Sequence, residues 1–139
     1  PDLLLTHWKG DILHPDHCAA TEAVIWASRY CFRPGVEGGL QPCPSPQVLF
    51  YETTLGTAPL AGYIPKLYVD ISTSYIRKCE ALDHFHAQPG LSERYGILAK
   101  YRALEAQSTA WMKGCEYAEG FIPLSTQPAG FSGPVGFGA

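Results

Sequence analysis

The chain has 139 residues, 46% hydrophobic and 17% charged, with thirteen acids against ten bases and a formal charge of −3. That is one domain's length with enough apolar surface for a core, which excludes a disordered chain; the acidic balance excludes the basic stripe of a nucleic-acid-binding surface. No apolar run approaches the roughly 20 residues of a membrane span, and the first residues do not read as a secretory leader, so a cytoplasmic protein is expected. The five cysteines (Cys18, Cys31, Cys43, Cys79, Cys115) are odd in number and scattered. They read as reduced, buried thiols rather than a disulfide frame or a zinc knuckle.

Leu3 to His7 is a short apolar run that suits a buried strand in a sheet covered on both faces, and the chain reads as one entered just before that strand. Pro15 and Asp16 are placed as first-turn residues of a helix over Cys18 to Phe32, whose face is Ala20, Val24, Ala27 and Cys31. Gly35 to Gln47 is a loop, Val48 to Glu52 is the strongest strand signal, and Lys66 to Ile71 alternates as another strand. Ser72 is placed as the N-cap of a helix running to about Ala87. Ser92 is placed as the cap of a last helix with the stripe Ile97, Tyr101, Leu104, Ser108, Trp111 and Cys115, in which Tyr101, Leu104 and Trp111 read as core. Residues 125–139 form a Gly/Pro-rich tail with little order expected. The order implies an α/β domain: a Rossmann-like layered sheet with flanking helices.

Polar chemistry is concentrated in His7, Trp8, Lys9, Asp11, His14, Asp16 and His17, on the segment leaving a strand's C-terminal end and entering a helix, where α/β sheets collect ligands. His14 and His17 are three apart, so a turn can bring both imidazoles to one side. Asp16 lies between them, and a carboxylate beside an imidazole fixes its tautomer and raises its basicity. The same pattern also describes a polar helix-capping turn whose histidines face water. A catalytic zinc takes three protein ligands; spacing alone supplies a histidine pair and no convincing carboxylate, so ligands from elsewhere are required.

Thr6-His7-Trp8, His14-Pro15-Asp16-His17 and the following helix with Ala20 and Glu22 resemble the second signature of the LmbE-like (PIG-L) zinc-dependent N-deacetylases. The likeness continues through Val48-Leu49-Phe50-Tyr51, Tyr63-Ile64-Pro65, Val69-Asp70-Ile71-Ser72, and Lys78, Ala81, Leu82 and His84. It closes on Gly114-Cys115-Glu116-Tyr117-Ala118-Glu119-Gly120-Phe121, so that it spans about residues 3–124. The resemblance implies zinc-dependent hydrolysis of the N-acetyl group of an N-acetylglucosamine-type glycoconjugate. It makes His17 a Zn2+ ligand, His14 the group that stabilises the tetrahedral intermediate, and Asp16 the support of that histidine. His7, Asp11 and Tyr51 are further candidates for substrate contact.

The family's first signature, Ala-His-Pro-Asp-Asp-Glu, appears nowhere in this sequence. Residues 1–124 are therefore expected to be the C-terminal part of a deacetylase domain, inactive by itself, with the other half supplied in cis, by another chain or by a swapped copy in a homo-oligomer. Leu13 reads as an extra residue between Asp11 and the motif. The alternative is a non-catalytic sugar-binding or assembly module of the same fold; a thiol hydrolase using Cys18 is a third reading. His84 and His86, two apart on a helix, point away from each other and cannot share a metal. Glu116 and Glu119 read as a solvated helical face.

Overall fold

The computed structural model describes residues 1–34, 41–54 and 57–124; part of the loop expected over 35–47 and the whole tail 125–139 lie outside them. The elements run β1 (Leu3–His7), α1 (Pro15–Tyr30), β2 (Gln47–Tyr51), β3 (Leu67–Asp70), α2 (Tyr75–Asp83), α3 (Leu91–Thr109) and β4 (Ala118–Pro123). The strands form one mixed sheet in the order β1-β2-β4-β3. β1 and β2 are parallel, with Leu5 opposite Leu49 and His7 opposite Tyr51. β4 runs antiparallel to both β2 and β3. The α/β class with flanking helices is therefore as expected.

β2 is the centre of the core. Val48, Leu49 and Phe50 are buried in succession, the pattern of a strand covered on both faces. The Tyr63 hydroxyl lies under the sheet, 2.6 Å from the Gly120 carbonyl and 3.1 Å from that of Phe50, and so joins β4 to β2. α3 packs on β4 and β3, α2 packs on α3, and α1 packs on β1 and β2.

Several expectations are corrected. β1 is an edge strand of the described sheet, with Leu3 and Leu5 exposed, rather than an interior strand covered on both faces. α1 buries Thr21 and Ser28 instead of the Ala20/Ala27 face. Polar bonding orients it: the Thr21 hydroxyl donates to the His7 carbonyl at 2.9 Å and lies 3.3 Å from the Thr6 hydroxyl. α3 ends at Thr109 and turns Gly96, Ala99, Arg102, Ala103 and Ala106 inward, leaving Tyr101, Leu104 and Trp111 exposed rather than in the core. Small residues let the helix lie close to the sheet, which outweighs the larger side chains of the other face. Ser72 caps no helix; its hydroxyl donates to Asp70 at 2.5 Å and accepts the amides of Glu116 and Tyr117. Glu119 stands on β4, not on a helix. Of the cysteines only Cys115 is buried; the other four are half-buried.

Candidate metal centre

The parallel pairing of β1 and β2 brings their C-terminal ends, His7 and Tyr51, side by side. From His7 the chain turns through Trp8–Leu13 into α1, and Trp8 anchors that turn by donating its indole N–H to the Ala61 carbonyl at 2.7 Å. Pro15 occupies the first turn of α1, as its fixed φ favours.

Asp11 organises the turn and both motif histidines. Its side chain is fully buried. Oδ1 accepts the backbone amides of Leu13 at 2.9 Å and His14 at 3.2 Å. Oδ2 lies 2.7 Å from His17 Nδ1 and accepts the Thr54 hydroxyl at 3.2 Å. These four contacts occupy the lone-pair sites of a carboxylate. Burial alone would raise the Asp11 pKa; the hydrogen bonds from Leu13, His17 and Thr54 outweigh it and hold the carboxyl well below the usual range. Because Asp11 is an acceptor, His17 carries its proton on Nδ1. The Thr54 hydroxyl spends its single proton on Asp11, so His14 Nδ1, at 2.9 Å, donates to it. Both motif histidines thus keep Nε2 free as a lone pair or a proton site.

The imidazoles are stacked. His17 lies between His7, at 4.1 Å between centroids, and His14, at 4.6 Å. His7 Nδ1 is buried and has no hydrogen-bond partner among the described residues. Its pKa is lowered by burial and by the neighbouring His17, with Asp16 and Asp11 opposing. Asp11, His14 and His17 offer ligand atoms within 4.8 Å of one another, a group that could hold a metal ion. The Nε2 atoms of His14 and His17 are the positions left open to an ion or a proton, and Asp11, whose lone pairs are taken, stands behind His17 as the usual orienting partner of such a ligand. The residues fit a metal.

A cavity of about 360 Å³ opens beside this centre, lined by His7, His17 and Tyr51 on one side and by Lys78, Tyr95, Arg102 and Glu119 on the other. Its cations are compensated. Arg102 donates from Nη2 to Glu52 at 2.6 Å and from Nη1 to Glu105 at 2.6 Å, and Lys78 pairs with Glu119.

No family model matches this sequence, and no curated protein matches it. Solved structures that share the fold include the following two. Over 93% of this chain and 54% of the other, the structure is similar to GalB, the 4-carboxy-2-hydroxymuconate hydratase from Pseudomonas putida KT2440, with a TM-score of 0.81 at 22% identity. Over 90% of this chain and 52% of the other, it is similar to the conserved protein TT1542 from Thermus thermophilus, with a TM-score of 0.73 at 20% identity. The chain spans about half the length of the structures it matches.

Of the residues singled out in the sequence, His7, Asp11, His14, His17 and Tyr51 meet at this end of the sheet. Asp16, expected to support His14, is exposed on the first turn and bonds neither motif histidine among the described residues; Thr54 bonds His14 and Asp11 bonds His17. With its side chain buried and its oxygens bonded, Asp11 is an orienting group rather than a substrate contact. Leu13 contributes through its amide, while its side chain is exposed. The Cys18 thiol donates toward the carbonyls of Lys9 and Asp11, and no imidazole bonds it among the described residues. Thr54, Tyr95 and Arg102 were missed. Thr54 lies within reach of sequence reasoning, since it sits three residues after the end of β2 on the ligand-collecting edge. Among the described residues no helix is long and apolar enough to cross a membrane.

Proposed function

We propose that this chain is the part of a zinc-dependent N-deacetylase that supplies a metal ligand, His17, and the intermediate-stabilising histidine, His14, for hydrolysis of an N-acetylglucosamine-type glycoconjugate. The observation that carries the reading is the Asp11–His17 hydrogen bond, which fixes an imidazole as a ligand beside a second imidazole and an open cavity. Zinc, when bound, supplies a Lewis acid and lowers the pKa of water. His17 would hold such an ion, its ring set by Asp11 so that Nε2 is the free nitrogen. His14, anchored to Thr54 through Nδ1, has Nε2 available for a proton. As a cation it stabilises charge that develops on the acetyl oxygen and gives the proton to the departing amine. The compensated ion pairs lining the cavity suit an uncharged, hydroxyl-rich ligand more than a polyanion. Further ligands come from the remainder of a domain of the matched structures' length, in cis or in trans.

The fold match over 93% of the chain to a hydratase supports a second reading, water addition to an unsaturated acid at the same centre. A non-catalytic sugar-binding or assembly role is the third. One comparison separates them. Acetate release from an N-acetylated amino sugar by the zinc-loaded protein, assayed together with the remainder of its domain, supports the first. Loss of the ultraviolet absorbance of an unsaturated dicarboxylate supports the second, and binding without turnover the third.

A further inference from the structure

Cys31, at the C-terminal end of α1, and Cys43, just before β2, are twelve apart in sequence and adjacent in space. The Cys43 amide donates to the Cys31 carbonyl at 2.9 Å, and such a contact brings two Cα atoms into the roughly 4.4–6.8 Å that disulfides span. Both side chains are half-buried, open enough for a small oxidant. The Cys31 thiol lies 3.4 Å from the Ser28 carbonyl of its own helix and 3.8 Å from the carbonyl of Pro44, the residue after Cys43. From the geometry we infer that Cys31 and Cys43 are a disulfide-forming pair that staples the α1–β2 connection when a peroxide oxidises the protein.

The chemistry balances with hydrogen peroxide as the oxidant. One thiolate attacks a peroxide oxygen, the O–O bond breaks, and a sulfenic acid and a hydroxide ion form; the hydroxide takes up the thiol's proton as water. The second sulfur then displaces the sulfenic oxygen as water, so that two thiols lose two electrons and the peroxide gains them. Burial and the neighbouring Cys43 thiol raise the Cys31 pKa. A disfavoured thiolate reacts slowly, which suits a staple formed under sustained oxidation more than a rapid sensor. The staple closes the end of α1 opposite the motif histidines, so the reading stands whether or not the centre is a deacetylase.

Trypsin gives a simple assay. Cleavage after Arg29 and Lys66, with the Arg33–Pro34 bond resistant, releases residues 30–66, which hold Cys31 and Cys43 and none of the other cysteines. After treatment of the intact chain with hydrogen peroxide and alkylation, this peptide should be unalkylated and lighter by two hydrogens, and a thiol reductant should reverse the change. The oxidised protein should melt roughly 5–10 °C higher than the reduced one. Cys43→Ser should abolish both effects and Cys79→Ser neither. A peptide that alkylates twice after oxidation, gains oxygen instead of losing hydrogen, or links to Cys18, Cys79 or Cys115 overturns the assignment.

Discussion

Asp11 and His17 are joined by a 2.7 Å hydrogen bond that ties the turn after β1 to the first turn of α1. The bond decides which nitrogen of His17 is free, because a carboxylate can only accept and Nδ1 must therefore carry the proton. Asp11→Asn keeps the shape and removes the charge. Zinc affinity, measured by competition with a chromophoric chelator, should fall about 10–100-fold, the usual effect of losing such an orienting partner, while the far-ultraviolet circular dichroism is preserved. Unchanged affinity in the folded variant would show that Asp11 acts on structure alone.

The same carboxylate makes stability depend on acid. Its pKa is depressed in the folded protein by the bonds from Leu13, His17 and Thr54, which outweigh burial, whereas an unfolded aspartate titrates near ~3.9. The unfolded state therefore binds more protons as pH falls below about 4, and the stabilisation present at neutral pH is lost there. Urea unfolding at pH 7 and pH 3 should show a drop in the wild type that is smaller in Asp11→Asn. Parallel curves for the two proteins would remove Asp11 from the account.

Arg102 is buried on α3 and is held by two carboxylates, Glu52 at the end of β2 and Glu105 one turn on. Arg102→Ala leaves the nearly buried Glu52 charge without its partner, and should cost about 3–5 kcal/mol. Arg102→Lys should recover only part of this, since a single ammonium cannot reproduce the donors to Glu52 from both Nε and Nη2. Arg102→Met combined with Glu52→Gln should be milder than Arg102→Ala. Chemical denaturation of the set tests the order, and a lysine variant as stable as the wild type would contradict it.

Gly120 of β4 and Gly96 of α3 separate rigid from yielding contacts. A Cβ on Gly120 would lie 2.8 Å from both Cβ and Cγ of Pro65, a ring that cannot swing aside. On Gly96 it would meet the tip of the Tyr75 side chain, and alanine gains helix propensity there. Gly120→Ala should destabilise by about 1–3 kcal/mol and Gly96→Ala by less. Melting temperatures check this, and the reverse order would show that Pro65 moves more easily than Tyr75.

The parallel half of the fold was legible because its signals are local. Leu3–His7 and Val48–Glu52 are apolar runs bounded by turns, and Pro15 marks the start of α1. β4 was not read, because Gly120 and Pro123 interrupt Ala118–Pro123 and the antiparallel partners that hold it, on β2 and β3, lie about 50 to 75 residues back. The inward face of α3 was hidden for a different reason: hydropathy ranks Ile97 and Leu104 above Gly96 and Ala103, while close approach to the sheet ranks them the other way. At the site, His14 and His17 were visible by spacing. The role of Asp11 was not, since it depends on the turn folding the carboxylate back onto two amides and an imidazole, and Thr54 joins from 40 residues away.

His14 and His17 stack 4.6 Å apart, yet they are bonded differently, and the proposed roles divide along that line. His17 is bound directly to buried Asp11, the arrangement of a ligand whose ring must not move. His14, 45% exposed in its side chain, is bonded to the Thr54 hydroxyl and stands 3.4 Å from Asp11, a looser hold than that on His17. In the zinc-loaded, active preparation His17→Ala should therefore lose the metal and the activity together. His14→Ala should retain the metal while kcat falls about 10²–10³-fold, because a transition-state contact rather than a ligand is removed. Thr54→Val should follow His14→Ala in direction with a smaller loss. Metal analysis beside acetate-release kinetics distinguishes these variants: zinc lost from His14→Ala and kept by His17→Ala would exchange the two roles, and wild-type metal and rate in both would end the deacetylase reading.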